Sequence, residues 1–328
     1  MPDEMSEQLA TMLWRIDPQL VRALRHQPAM DGTDPKTARK QFARALKVSQ
    51  ALRGTPYMTD RVDVLDGSFR VSEDGREIGI RTYRPRGVVA PMPVLVYCHG
   101  ALLAGDLDTE HERCLRYAAE VECIVVSVAY RRPPEHPFPA PTDDCYAAVQ
   151  WVHDTAHEWD GDPRRIAIAG SSSGAMLAAA VALQSRDCDG PKLVLQMLLY
   201  PALDDRFSTR SVGAYSITGS GKPIDSRWIW RYYTGDDPAV TSSPYAVPAR
   251  CADFAGLAPA YVLVAEVDPL RDEALDYATR MMRAGVRVEL HMPARTCHGF
   301  DAANPNAAVS MRSLEEQAAA LRWAFANA

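Results

Sequence analysis

The chain has 328 residues, of which 47% are apolar, 24% charged and 8% aromatic. This excludes a disordered chain, a collagen and a disulfide-stapled miniprotein, and the length suffices for a large core. Net charge is −6, and with no basic block no nucleic-acid partner is expected. At ~150 residues per domain, the length gives a soft prior of about two domains.

The segment MPDEMSEQLATMLWR carries Asp3, Glu4 and Glu7. It lacks the basic start and apolar run of an export signal. The longest apolar stretch, Gly174 to Leu183, is about half of the ~20 residues that a membrane-spanning helix needs. Seven cysteines form no CxxC pair, which suits reduced thiols rather than a disulfide framework or a zinc site. A cytoplasmic protein without a membrane partner is expected. Most of the cysteines read as small core residues, with Cys297 set apart because it precedes His298.

In chain order, residues 1–50 read as helical. Leu9, Leu13 and Ile16 lie at i, i+4, i+7 on one helix face. Asp17-Pro18 and Asp34-Pro35 each read as an N-cap followed by proline at the first helical position. Strand-like runs then occur near Val62–Leu65, Ile78–Tyr83, Val94–Tyr97, Ile124–Val128, Ile166–Ala169, Leu193–Tyr200, Ala260–Ala265 and Val286–Met292. Helical stretches at Thr109–Glu120, Ala140–His157, Ser173–Arg186 and Glu273–Ala284 separate most of the later ones, and a helix near Ser310–Phe325 closes the chain. Short apolar strands alternating with helices predict an α/β fold: a mostly parallel sheet of about eight strands with helices on both faces. The first two strands are expected to form an antiparallel start. A segment of residues 202–247 breaks the alternation. It holds Trp228, Trp230, Tyr232 and Tyr233, and a glycine- and serine-rich stretch at Gly219–Gly221. An insertion this long usually has a function.

The decisive motif is Gly170-Ser171-Ser172-Ser173-Gly174, between the strand IAIA and the helix AMLAAAVALQ. That is the context a G-x-S-x-G elbow requires. The turn is so tight that side chains at the two glycines would meet neighbouring backbone. Ser172 then stands at the apex, with the Ser173 N–H and the helix N-terminus favouring developing negative charge. Ser171 and Ser173 compete by residue type only.

A serine hydroxyl needs a base, and the base needs an orienting acid. On an α/β sheet the chain order is serine, acid, histidine, each on a loop after a strand. Asp268, after YVLVAE, and His298, after VELHM, fit that order. Asp272 is the rival acid, expected in the following helix, and Glu266 is a weaker rival at the strand end. His291 reads as structural. His153 and His157 have zinc-like spacing, but the expected glutamate and third ligand are missing, so no metal is expected. His136 reads as the anchor of a proline-dense loop that holds five prolines between Pro133 and Pro141.

These motifs resemble the hormone-sensitive-lipase-like branch of the α/β-hydrolases, the bacterial family IV carboxylesterases. The matching stretches are YCHG…GDLDT, YRRPPEHPFPAPTDD, GSSSG, LLYPALD, AEVDPLRDEAL and CHGF, which together span nearly the whole chain. The resemblance implies an α/β-hydrolase fold, the triad Ser172, Asp268 and His298, and no cofactor. It also implies a catalytic domain of residues 51–201 and 248–328 under one discontinuous helical cap, residues 1–50 and 202–247. By analogy with the fold, a homodimer through an edge strand is expected.

One departure stands out. The family carries His-Gly-Gly-Gly and an aromatic residue before its Gly-Asp, whereas this loop reads His99-Gly100-Ala101-Leu102-Leu103-Ala104-Gly105-Asp106. Two glycines are lost and the loop reads one residue short. The expected oxyanion donors are the N–H groups of Ser173 and of Gly100 or Ala101. The family also has Asp and Ala where this chain has Ser171 and Ser173.

The leading expectation is a serine hydrolase acting through an acyl-enzyme on a small-molecule carboxylic ester, with the cap aromatics and the first helices lining its pocket. The alternative is a biosynthetic deacetylase, or a lyase or cyclase, that uses the same triad with a modified oxyanion hole. A ligand-binding receptor is a third reading, disfavoured because all three triad residues are present.

Overall fold

The computed structural model describes residues 2–25, 34–53, 58–72, 74–216 and 226–328. The expected Gly219–Gly221 stretch lies outside them. Three helices come first: α1 (Pro2–Arg15), α2 (Pro18–Arg25) and α3 (Pro35–Arg53). Both proposed N-caps are used, since Asp17 Oδ1 accepts from Gln19 N at 2.8 Å and Asp34 Oδ1 accepts from Lys36 N at 3.0 Å. Then follow β1 (Val62–Arg70), β2 (Glu77–Pro85), β3 (Met92–Cys98), α4 (His111–Val121), β4 (Ile124–Ala129), α5 (Ala140–Thr155), β5 (Gly161–Ser171), α6 (Ser173–Asp187) and β6 (Leu193–Leu199). The inserted segment holds α7 (Arg210–Tyr215), α8 (Arg227–Thr234) and α9 (Pro238–Thr241). The chain ends with β7 (Ala260–Leu263), α10 (Arg271–Arg283), β8 (Val288–His291), α11 (Phe300–Ala303) and α12 (Ala308–Ala326).

The eight strands form one sheet in the order β1-β2-β4-β3-β5-β6-β7-β8. The antiparallel start is present, but it extends one step further than expected because β2 also pairs antiparallel with β4. The remaining pairs are parallel. Side chains alternate across the sheet, so one face carries Val94, Val96, Ile166, Ile168, Val262 and Val264. The other carries Leu95, Tyr97, Ala167, Ala169, Tyr261 and Leu263. Helices α5, α6 and α10 contribute to the first core, and α4 and α12 to the second. Each fully buried Leu, Ile or Val contributes about 1.5–3 kcal/mol.

Register explains where the functional loops meet. Cys98 pairs with Gly170 and Ser171 with Leu199. The loop after β3 therefore lies beside the turn after β5. A parallel bridge between Val267 and Cys297 then brings together the segments that follow β7 and β8.

Two expectations about side-chain direction need correction. Trp230 and Tyr233 of α8 do not line a pocket, because they are buried in the core of the sheet domain. Tyr233 meets the Phe138 ring edge-on at 5.9 Å, and its hydroxyl lies 2.9 Å from Thr142 Oγ1. An amphipathic helix whose apolar stripe faces the sheet spends those aromatics on anchoring. The proline-dense loop is likewise held by Phe138, whose N–H donates to Tyr233 O at 2.8 Å, and by Glu135, which pairs with Arg39. His136 is exposed rather than the anchor.

Candidate active site

The turn from β5 into α6 confirms the steric reason for its glycines. A Cβ on Gly170 would lie 2.2 Å from the Gly174 carbonyl oxygen, and one on Gly174 would lie 2.1 Å from the Cys98 carbonyl oxygen. Neither site can hold any other residue without opening the turn. Ser172 between them takes φ 54°, ψ −119°, a conformation that costs on the order of 1–3 kcal/mol and persists only where the surroundings impose it. Here they do: Ser172 N donates to Leu199 O at 2.8 Å, and Ser172 O accepts from Ala175 N at 3.1 Å.

Ser172 Oγ lies 3.0 Å from His298 Nε2, and His298 Nδ1 lies 2.8 Å from Asp268 Oδ2. Asp268 is 1% exposed, and its other oxygen accepts from Leu270 N at 2.9 Å. With Nδ1 donating to the carboxylate, Nε2 is left as an acceptor facing the serine. Burial disfavours the imidazolium. The adjoining Asp268 outweighs burial, with help from Asp301 and Glu110, and lifts His298 above the ordinary imidazole value of 6.5.

The rival groups are engaged elsewhere. Asp272 lies in α10, pairs with Arg271 and accepts from Ser211 N at 2.9 Å. Glu266 pairs with Arg15 at 2.8 Å and accepts from Arg295 N at 2.7 Å. His291 pairs with Glu289 at 2.8 Å and stacks on Tyr261. His153 pairs with Asp154 at 2.9 Å, and no metal-holding cluster of His, Cys, Asp and Glu occurs among the described residues. Burial, then Asp268, pushes the Cys297 thiol up to about 12, which removes it as a nucleophile near neutral pH.

The flanking serines have distinct partners. Ser171 Oγ donates to Glu110 Oε1 at 2.5 Å, and Ser173 Oγ accepts from Leu102 N at 2.8 Å. Among the described residues, the N–H groups of Gly100, Ala101 and Ser173 have no protein acceptor. Gly100 is required by its neighbour, since a Cβ there would lie 2.9 Å from Ser171 O. Ala101 adopts φ 55°, the left-handed conformation that favours glycine. His99 is buried and held neutral, its value lowered to about 4 by burial. Its Nδ1 lies 2.9 Å from Gly100 O, and Tyr130 OH donates to His99 O at 2.8 Å.

Behind the histidine runs a buried charged network that sequence reasoning missed. Arg113 of α4 donates to Glu110 at 2.9 Å and to both oxygens of Asp301 at 3.0 Å. It also donates to Tyr200 OH at 3.0 Å and to Gln317 Oε1 at 2.9 Å. The Tyr200 ring meets His298 edge-on at 5.0 Å. Burial opposes ionisation of Asp301, but Arg113 outweighs it and holds the carboxyl below its ordinary range. The only sequence signal was Asp301, three residues beyond His298. A second missed group is Glu273, which accepts from Leu203 N at 2.6 Å and Asp204 N at 3.2 Å. Burial pushes it up to about 8.

A nucleophile-elbow serine facing a histidine and a buried carboxylate, at the carboxyl edge of an eight-stranded, mostly parallel sheet, defines the class of α/β-hydrolases. The chain belongs to the alpha/beta hydrolase fold family, whose pattern matches residues 95–302, in its hormone-sensitive-lipase-like branch. It is 37% identical over 292 residues to the carboxylesterase NlhH of Mycobacterium tuberculosis, covering 87% of this chain and 88% of that one. It is 35% identical over 259 residues to the esterase LipI of the same organism, covering 77% and 80%. The crystal structure of the esterase LipW from Mycobacterium marinum superimposes with a TM-score of 0.84 at 39% identity, covering 95% of this chain and 97% of that one.

Proposed function

We propose that the chain is a serine hydrolase that cleaves a small-molecule carboxylic ester through an acyl-enzyme. The observation that carries this is the continuous line from Asp268 through His298 to Ser172 Oγ, at 2.8 and 3.0 Å. His298 Nε2 takes the Ser172 proton as Oγ bonds to the acyl carbon. The N–H groups of Ser173 and of Gly100 or Ala101 stabilise the oxyanion. Collapse breaks the ester C–O bond, and the leaving alkoxide takes the proton from His298. Water then gives a proton to His298 and attacks the acyl carbon, and Ser172 leaves with that proton. Asp268 holds the imidazole tautomer and, with the carboxylates behind it, stabilises the imidazolium in each step. The relatives are named as esterases, so neither the alternative of a biosynthetic deacetylase, lyase or cyclase nor the receptor is favoured.

Among the described residues, those of 1–50 and 202–247 act together as a cap over those of 51–201 and 248–328. Supporting this, Asp17 N donates to Arg295 O at 2.8 Å and Arg15 pairs with Glu266, beside the loops that carry His298 and Asp268. No described helix is long and apolar enough to cross a membrane. All seven cysteines are free thiols, which supports a reducing, cytoplasmic setting. Exposed Leu290 on the edge strand β8, with Met292 beside it, supports pairing of two copies along that edge. The test is turnover of a p-nitrophenyl ester series from acetate to decanoate. Hydrolysis lost in Ser172→Ala is expected. Equal turnover by that variant, or none by the folded parent protein, would overturn the reading.

A further inference from the structure

The loop that faces the nucleophile, His99 to Asp106, keeps a compact shape. Ala101 O accepts from Ala104 N at 2.7 Å and from Gly105 N at 2.6 Å, closing a tight turn. The side chains of Leu102 and Leu103 are buried, each 2% exposed. Glycine is retained where space forbids anything else: a Cβ on Gly105 would lie 2.2 Å from Gly100 O. The loop is braced from outside as well. Arg39 of α3 donates to Leu103 O at 2.6 Å, and Arg132 donates to Gly105 O. On its inner side, Leu102 N donates to Ser173 Oγ at 2.8 Å.

We propose that the Ser173 hydroxyl is a positioning group that clamps this loop against the nucleophile elbow and thereby sets the spacing of the oxyanion donors. One residue then serves both halves of the hole. Its N–H points at the oxyanion from the helix side, while its hydroxyl fixes the opposing Gly100 and Ala101 donors. Because Leu102 N–H is occupied by Ser173, it is withdrawn from the reaction, and the hole is built from Gly100, Ala101 and Ser173 alone. Glycines would let the loop choose its shape, whereas here a hydrogen bond imposes it. The kinetic part of this inference rests on the ester-hydrolase reading, and the structural part does not.

The test compares the full-length protein with Ser173→Ala and Ser173→Cys. Alanine is small and a good helix former at the start of α6, and it retains the backbone N–H. Hydrogen exchange is measured on the peptide spanning residues 100–105, alongside kcat, KM and the pH profile for p-nitrophenyl butyrate. Loss of the acceptor leaves the buried Leu102 N–H without a partner, so its exchange should rise about tenfold or more in Ser173→Ala. The kcat should fall about tenfold, by misplacement of donors worth ~10²–10³ when one is removed outright, with KM within about twofold. The acid limb of the profile should stay in place, since Asp268 and His298 are untouched. Ser173→Cys, with a weaker acceptor, should fall between the two. Unchanged exchange in folded Ser173→Ala, unchanged kcat despite faster exchange, or a displaced acid limb would each overturn the proposal. If the parent protein hydrolyses no ester, the exchange measurement still decides the clamp, and only the functional reading fails.

Discussion

Asp268→Asn tests the electrostatics of the site with the smallest change of shape. Asp268 Oδ1 accepts from Leu270 N at 2.9 Å and Oδ2 faces His298 Nδ1 at 2.8 Å. In the variant, the amide oxygen keeps the Leu270 N–H and the NH₂ group turns to His298. An NH₂ can only donate, so Nδ1 becomes the acceptor and the ring proton moves to Nε2. Nε2–H then points at Ser172 and can no longer accept its proton. In a serine triad this wrong tautomer costs ~10⁴ in kcat, or about 5 kcal/mol of barrier. A second signature is the pH profile. Turnover needs neutral His298, whose value lies above 6.5 because Asp268 outweighs burial. Activity of the parent protein should therefore fall as pH drops through a midpoint above 6.5. Without the carboxylate, burial gains weight and the residual activity should lose its acid limb at lower pH. Stopped-flow and steady-state hydrolysis of p-nitrophenyl acetate between pH 5 and 9 reads both. Activity within tenfold of the parent, or an unmoved limb, refutes the assignment of Asp268.

Gly174→Ala should cost ~10² or more in kcat, because its Cβ meets the Cys98 and His99 carbonyl oxygens at 2.1 and 2.5 Å and misplacement by about 1 Å has that effect. Gly67→Ala, with nothing within 4 Å of its Cβ, is the control that should leave kinetics unchanged. Arg113→Met strands the buried Glu110 and Asp301 carboxylates, so urea denaturation should show a loss of ~3–5 kcal/mol; a loss below about 1 kcal/mol contradicts the network. Glu273 has its value raised to about 8 in the fold against an ordinary 4.5, so the native state binds the extra proton between those values. Stability should decline as pH rises from about 4.5 to 8, and Glu273→Gln should flatten that slope; parallel curves for both proteins would refute it.

The sheet was legible because each buried strand is a short apolar run set off by turns and helices, as VLVY and IAIA illustrate. The elbow was legible because its glycines, strand and helix are contiguous. Asp268 and His298 were candidates because of their chain order and their places on loops after strands. What escaped were contacts between residues far apart in sequence and ordinary in type. Arg113 and Asp301 are 188 residues apart, and nothing in either local sequence marks a buried charge. Ser173 and Leu102 are 71 apart, so nothing in the local sequence shows that the Ser173 hydroxyl meets this loop. The aromatics of α8 were misdirected for a related reason. Periodicity identifies an apolar face but not whether a core or a pocket lies opposite, and Trp230 and Tyr233 found the core.

The central claim is that Ser172, activated by His298, is the nucleophile. Intact-protein mass spectrometry after exposure to a fluorophosphonate, followed by peptide mapping, tests it most directly. A single adduct is expected, located on Ser172, that forms more slowly as pH falls below the His298 midpoint and is absent in Ser172→Ala. An adduct on Ser171, Ser173 or Cys297, or no adduct on the folded protein, would contradict it.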